Sequence, residues 1–138
     1  MAAYNKFQQF VEDVAEKVHN LGSDQLKIAL TNSAPSASNS ILGNITEITY
    51  TNLSSRNVTT SSSAQTSGTY KLVLADLVLT ASGGSVGPFR YVVLYNDTPT
   101  SPADPLIAWF DYGSSITLAD GETITIDFDG TNGVLQLA

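Results

Sequence analysis

Any chemistry in this chain has to come from carboxylates, hydroxyls and one imidazole. Thirteen residues are Asp or Glu, one is His and none is Cys, so thiol nucleophiles, disulfides and thiolate metal sites are excluded. The stretch DFDGTNG, Asp127 to Gly133, opens like a calcium loop, with carboxylates at Asp127 and Asp129 followed by a glycine and an asparagine. A loop of that kind closes at its twelfth position with a bidentate Glu and lies between two helices. Here the twelfth position is Ala138 and the flanking patterns are strands, so a hairpin loop is expected instead. Asp97, Asp104 and Asp111 flank NDTPTSPADP and could meet around a hard cation. They satisfy no ligand spacing, and proline-rich loops are normally exposed, so solvated carboxylates are the expectation. No metal site and no cofactor are expected.

The lone histidine, His19, falls in the last turn of a helical pattern, where partial positive charge is favoured by the helix dipole. A Ser/His/Asp hydrolase would depend on this one imidazole, and no GxSxG stretch accompanies it. No catalytic residue is assigned, and the protein is read as a non-enzyme. Tyr91, Tyr95, Trp109, Phe110 and Tyr112 could form a sugar-stacking platform. At strand spacing among apolar neighbours they are expected to be core and interface anchors. Asn44, Asn52, Asn57 and Asn96 each begin an N-x-S/T sequon, as chance provides in a chain so rich in Asn, Ser and Thr.

The elements that would position these residues are mostly strands. Phe7, Phe10, Val11, Val14, Val18 and Leu21 recur at helical spacing, which predicts one helix over residues 5–20 with Asn5 and Gln8 as a capping pair and Gly22 as the stop. From Gln25 the period changes to two. Strands are predicted over QLKIALT, ITEITY (Ile45 to Tyr50), Asn57 to Gln65, TYKLVL, LVLT, FRYVVLYN, PLIAWFDY, SITL, ETITIDF and VLQLA. Gly83 with Gly84, Asp120 with Gly121 and Asn132 with Gly133 read as hairpin turns.

PFRYVVLYND is apolar on both sides: alternation puts Phe89, Tyr91, Val93 and Tyr95 on one face and Val92 and Leu94 on the other. Such a strand needs two covers, the opposing sheet on one side and the helix or a second copy on the other. Arg90 is the only charge between Gly87 and Tyr95, which predicts a carboxylate partner or a bridge to backbone carbonyls. Between Asn32 and Gly68, 21 of 37 residues are Ser, Thr or Asn, and Glu47 and Arg56 are the only charges. This polar arm reads as a long loop followed by an edge strand, or as an extension that orders against another surface.

A net charge of −7 without a Lys or Arg cluster argues against nucleic acid. The start MAAYNKFQQF has no secretory pattern and no apolar run approaches a membrane span, so a soluble protein without membrane export is expected.

The succession of a short helix, LKIALTN, a polar Thr/Ser stretch, GGSVGPFRYVVLYNDT and PLIAWFDYGSSITLADGETITIDFDGTNGVLQLA resembles small virion proteins of tailed bacteriophages. The resemblance implies a single domain over 1–138 with a mainly β fold, a jelly-roll-like β-sandwich with one N-terminal α-helix. It implies a capsid decoration (cement) protein, made in the bacterial cytoplasm and bound on the outer surface of the head, self-associating as a dimer or trimer and contacting the major capsid protein lattice. The other implied place is a tail fibre or tail tip, binding host glycan through Tyr95, Trp109 or Tyr112. Thr59, Thr60, Ser61, Ser62 and Ser63, with Tyr95 and Trp109, are the expected interface residues.

Overall fold

The computed structural model describes residues 2–138. Ten strands, one short helix and a 3-10 turn build a mainly β domain with three antiparallel sheets. The strands are β1 (Asn5–Lys6), β2 (Leu26–Thr31), β3 (Asn57–Val58), β4 (Thr60–Thr66), β5 (Thr69–Leu74), β6 (Leu77–Thr80), β7 (Val86–Asn96), β8 (Leu106–Leu118), β9 (Thr123–Ile126) and β10 (Leu135–Leu137), with α1 at Gln9–Ala15. The largest sheet runs β1-β8-β7-β2-β3, the second β10-β5-β4, and the third pairs β6 with β9. No sheet closes on itself into a barrel.

The main core lies between the large sheet and the two smaller ones. Leu26, Ile28 and Leu30 of β2, Val92 and Leu94 of β7 and Ala108 of β8 meet Leu72 and Leu74 of β5, Leu79 of β6 and Leu135 of β10. Ile124, Ile126 and Phe128 pack into the same cluster, as the alternation of ETITIDF predicts. Phe89 belongs there too, not with Tyr91, Val93 and Tyr95. The β7–β8 register shifts between Phe89 and Tyr91, and a bulge at that point breaks the strict alternation.

The second face of β7 is covered from within the chain, and not by the helix. Phe7, Ala29, Val93, Tyr95 and Leu106 form a separate cluster, with Leu42, Ile45 and Trp109 packed against it. The cover thus comes from the N-terminal strand end and from the supposedly polar arm. Burying Phe7 completely is worth about 2–3 kcal/mol, enough to decide the path of the segment. Because Phe7 dives into this cluster, residues 5–6 run as a strand against Trp109 and Ala108, and the helix starts only at Gln9.

The helix is correspondingly shorter than residues 5–20. Lys17 adopts a left-handed φ of 68°, while the Lys17 N–H donates to the Val14 carbonyl and the Val18 N–H to the Asp13 carbonyl. That bond pair is a Schellman stop, here with lysine where glycine is usual. Asn5 and Gln8 do not form a capping pair: Asn5 Nδ2 donates to the Ala3 and Trp109 carbonyls.

Three other expectations are corrected. ITEITY is not a strand, because two side-chain anchors replace a ladder: the Leu30 N–H donates to the Tyr50 hydroxyl and the Thr31 hydroxyl to the Thr46 carbonyl, while of its backbone N–H groups only that of Ile48 bonds back to β2, at Leu30. PLIAWFDY and SITL form one strand, β8, kinked where one residue of β7, Arg90, opposes four of β8 between Tyr91↔Asp111 and Phe89↔Ile116. The turns at Gly83–Gly84, Asp120–Gly121 and Asn132–Gly133 are not hairpins, since β6 pairs with β9 and β10 with β5. The tight hairpin is β4–β5, whose Ser67 and Gly68 both have positive φ, 51° and 85°, as a primed turn requires.

Candidate functional site

The residues expected to do chemistry are dispersed and individually satisfied. Arg90 forks onto Asp111, Nε to Oδ1 at 2.8 Å and Nη2 to Oδ2 at 3.0 Å. The guanidinium and the Gly113 N–H together hold the Asp111 carboxyl below the usual range. Asp97 faces Lys27 at 3.9 Å. Burial, reinforced by Asp97, pushes the Asp104 carboxyl up. Asp111 pairs with Tyr91 within the β7–β8 ladder, while Asp97 lies beyond its Tyr95↔Leu106 end, so the three carboxylates do not converge.

Asp129 caps its own loop. Its Oδ1 accepts the Thr131 and Asn132 N–H groups at 2.9 and 2.8 Å, and Oδ2 accepts Asn132 Nδ2, which keeps its carboxyl low. Among the described residues no group of three His, Asp or Glu side chains is placed to hold a metal ion.

His19 lies beyond the helix end, buried to 8% exposure, rather than in a last helical turn. Its ring packs on Phe10 at 5.2 Å, and Nδ1 sits 3.1 Å from Asn96 Nδ2. Asn96 in turn donates to Asp24 at 2.7 Å. Burial pulls the imidazole below its ordinary pKa, opposed by Asp13 and Asp24. Nε2 of His19 and Oδ2 of Asp13 are buried without a hydrogen-bond partner. Asn96 itself is fully buried, so its sequon presents no acceptor surface.

The expected interface residues separate into three environments. Thr59, Ser61 and Ser62 are exposed, and Thr60 and Ser63 half-exposed. Thr60 to Ser63 belong to β4, the outer strand of its sheet, with a register shift between Thr60 and Ser62. Ser63 Oγ is tied to the Tyr70 hydroxyl at 2.7 Å. Tyr95 is 2% exposed, inside the second cluster with its hydroxyl 3.5 Å from Arg56 Nη1, so it has no surface to offer a glycan. Trp109 is half-buried against Phe7 at 4.7 Å. Tyr112 is 57% exposed, and the aromatics therefore build no shared platform.

The two charges of the polar segment meet. Arg56 stacks on the Tyr50 ring at 3.7 Å and donates to the Ile28 carbonyl at 2.7 Å, while the Tyr50 hydroxyl donates to Glu47 at 2.6 Å. This clasp pins residues 47–56 to the edge of β2. It leaves β4, not the whole arm, as the free polar edge.

A feature without any linear signature is an apolar trench of about 200 Å³. Phe89, Val92, Phe110 and Tyr112 of the large sheet contribute to it on one side, and the consecutive residues Ile124 to Phe128 on the other. The alternation of ETITIDF identifies its inward side chains but says nothing of an uncovered neighbour. No family model, curated protein or solved structure matches the chain.

Proposed function

We propose that the protein is a non-enzymatic structural module of a virion, and that it works as a capsid decoration protein binding the assembled head. The observation that supports this is β4, an uncharged strand of Thr, Ser, Ala and Gln on an open sheet edge. Such an edge offers main-chain donors and acceptors to a neighbouring sheet while its side chains carry little desolvation cost. The phage assignment itself rests on the resemblance of GGSVGPFRYVVLYNDT and the strands after it. The finer fold reading, a jelly-roll-like sandwich, belongs to the same proposal. The large sheet and the two small ones share one core, the layering that a sandwich requires.

Self-association as a dimer or trimer is part of the proposal, but through β4. The second apolar face of β7, which suggested a subunit interface, is occupied by Phe7, Leu42 and Ile45 of the same chain. An oligomer that spans several coat subunits gains avidity from contacts of about 800 Å² each. It would favour the assembled lattice over free subunits by mass action.

Co-sedimentation with mature heads and with unassembled coat protein tests this. Wild type should bind heads and not free coat, and a variant carrying Thr60→Lys and Ser62→Lys should bind neither. Equal binding to both coat forms would overturn the clamp. Binding to purified tails alone would favour the tail-fibre or tail-tip reading.

A further inference from the structure

The apolar trench lies beside β9. Ile124, Thr125, Ile126, Asp127 and Phe128 all border it. Ile124, Thr125 and Ile126 are consecutive in β9, whose successive side chains point to opposite faces, so β9 presents its edge there, and Asp127 and Phe128 continue the border beyond its end. That edge is free: β9 pairs with β6 alone. From the large sheet, Phe89, Val92, Phe110 and Tyr112 reach the trench. Of these, Phe89 and Val92 are buried, at 1% and 7% exposure, whereas Phe110 is half-buried and Tyr112 exposed beside the free edge.

We propose that the trench is a docking site for a short extended segment of a partner protein, which adds to the free edge of β9 and lays alternate apolar side chains on Phe110 and Tyr112. This goes beyond the head-decoration reading and does not rest on it. The occupant is a strand because the site offers a free ladder edge along an apolar floor. Its size agrees: about 200 Å³ is below the 300–1,000 Å³ typical of small-molecule sites and suits side chains instead. The chain already uses the outer side of β8 in this way, where its own residues Asn5 and Lys6 pair with Trp109 and Ala108 and Tyr4 packs edge-on to Phe110 at 6.1 Å. Among the described residues of that segment only Ala2 reaches the trench, and its methyl group does not fill it.

Charge selects the partner further. Asp127 is exposed on the rim, has no basic partner among the described residues, and no Lys or Arg lines the trench. A strand carrying Lys or Arg beside its apolar residues is complementary to this rim and to the net charge of −7. A second copy fits less well. A stable dimer covers about 800 Å² per partner, whereas of the strongly exposed large apolar side chains only Tyr112 borders the trench. Val11, Val78 and Leu137 do not.

The test uses a labelled eight-residue peptide alternating valine with threonine and ending in two lysines, titrated into the full chain while amide shifts and amide exchange are followed. Saturable binding with Kd below about 1 mM is expected. Shifts should be confined to Ile124–Phe128, Phe110 and Tyr112, with slowed exchange at alternate amides of β9. A peptide with its valines grouped together should bind at least about tenfold more weakly. Asp127→Lys should reverse the preference between the lysine peptide and one ending in glutamates. Absence of saturable binding, equal affinity for the grouped peptide, or shifts centred on β4 would overturn the proposal. So would protection of the β9 edge without peptide in a species of doubled mass, which would place a second copy in the trench.

Discussion

His19 carries a pH dependence whose sign follows from its surroundings. It is buried against Phe10 and Asn96, and although Asp13 and Asp24 face it, burial dominates and lowers its pKa. The unfolded chain therefore binds the proton more readily. Stability is full above the unfolded value of about 6.5 and is lost as pH falls from there through the folded pKa, by about 1.4 kcal/mol for each unit of depression. Urea unfolding at pH 7.5 and 5.5 should show this loss in wild type and little of it in His19→Gln. A gain in stability at pH 5.5 would mean that the Asp13 and Asp24 carboxylates outweigh burial. Arg90 and Asp111 give an ordering. Both are about 40% exposed, where ion pairs contribute little, but Asp111 also caps the Gly113 N–H at 2.8 Å. Asp111→Ala should lower the melting temperature more than Arg90→Ala. At this scale the sequence was informative wherever a charge stood alone. Arg90 in an apolar strand demanded a partner, whereas nothing linear announced that Glu47 and Arg56 would meet across Tyr50.

Among the elements, the N-terminal segment shows what periodicity does and does not encode. Phe7 and Phe10 sit at helical spacing and both are buried, yet they enter different clusters on the two sides of the large sheet. Helical spacing marks them as apolar and leaves their destinations open. The same holds for Leu42 and Ile45, lost among Ser, Thr and Asn by composition but packed on the second face of β7. The single tryptophan reports on this cover, because Trp109 lies against Phe7. Phe7→Ala should cost about 3–5 kcal/mol and red-shift the emission of Trp109. Leu42→Ser, at a half-buried position, should cost about 1–2 kcal/mol with a smaller shift. Both are read from fluorescence-monitored unfolding. An unchanged spectrum for Phe7→Ala would show that the second face has another cover. Strands with clear alternation or continuous apolar runs, β2, β5, β7 and β9, were legible. Their pairing partners were not, because glycine turns mark where a chain bends and not which strand it joins next.

For the whole molecule, the large sheet is assembled from distant parts of the chain. Asn5 pairs with Trp109, and Lys27 pairs with Tyr95. Loops of that length make the ladder slow to close. The consequence falls on synthesis. A ribosome releases residues at about 5–20 per second, so β2, with Leu26, Ile28 and Leu30 needing cover on one side and Ala29 on the other, waits roughly 3–14 s for the part of β7 that pairs with it. During that interval it is an apolar strand whose β7-facing edge is bare. Nascent chains arrested just before Val86 should be cut readily by protease and recruit holding chaperones. Chains extended past Ala138 by a tether long enough to clear the exit tunnel should resist cleavage. Equal resistance of the two would mean that the first half of the chain has a stable fold of its own.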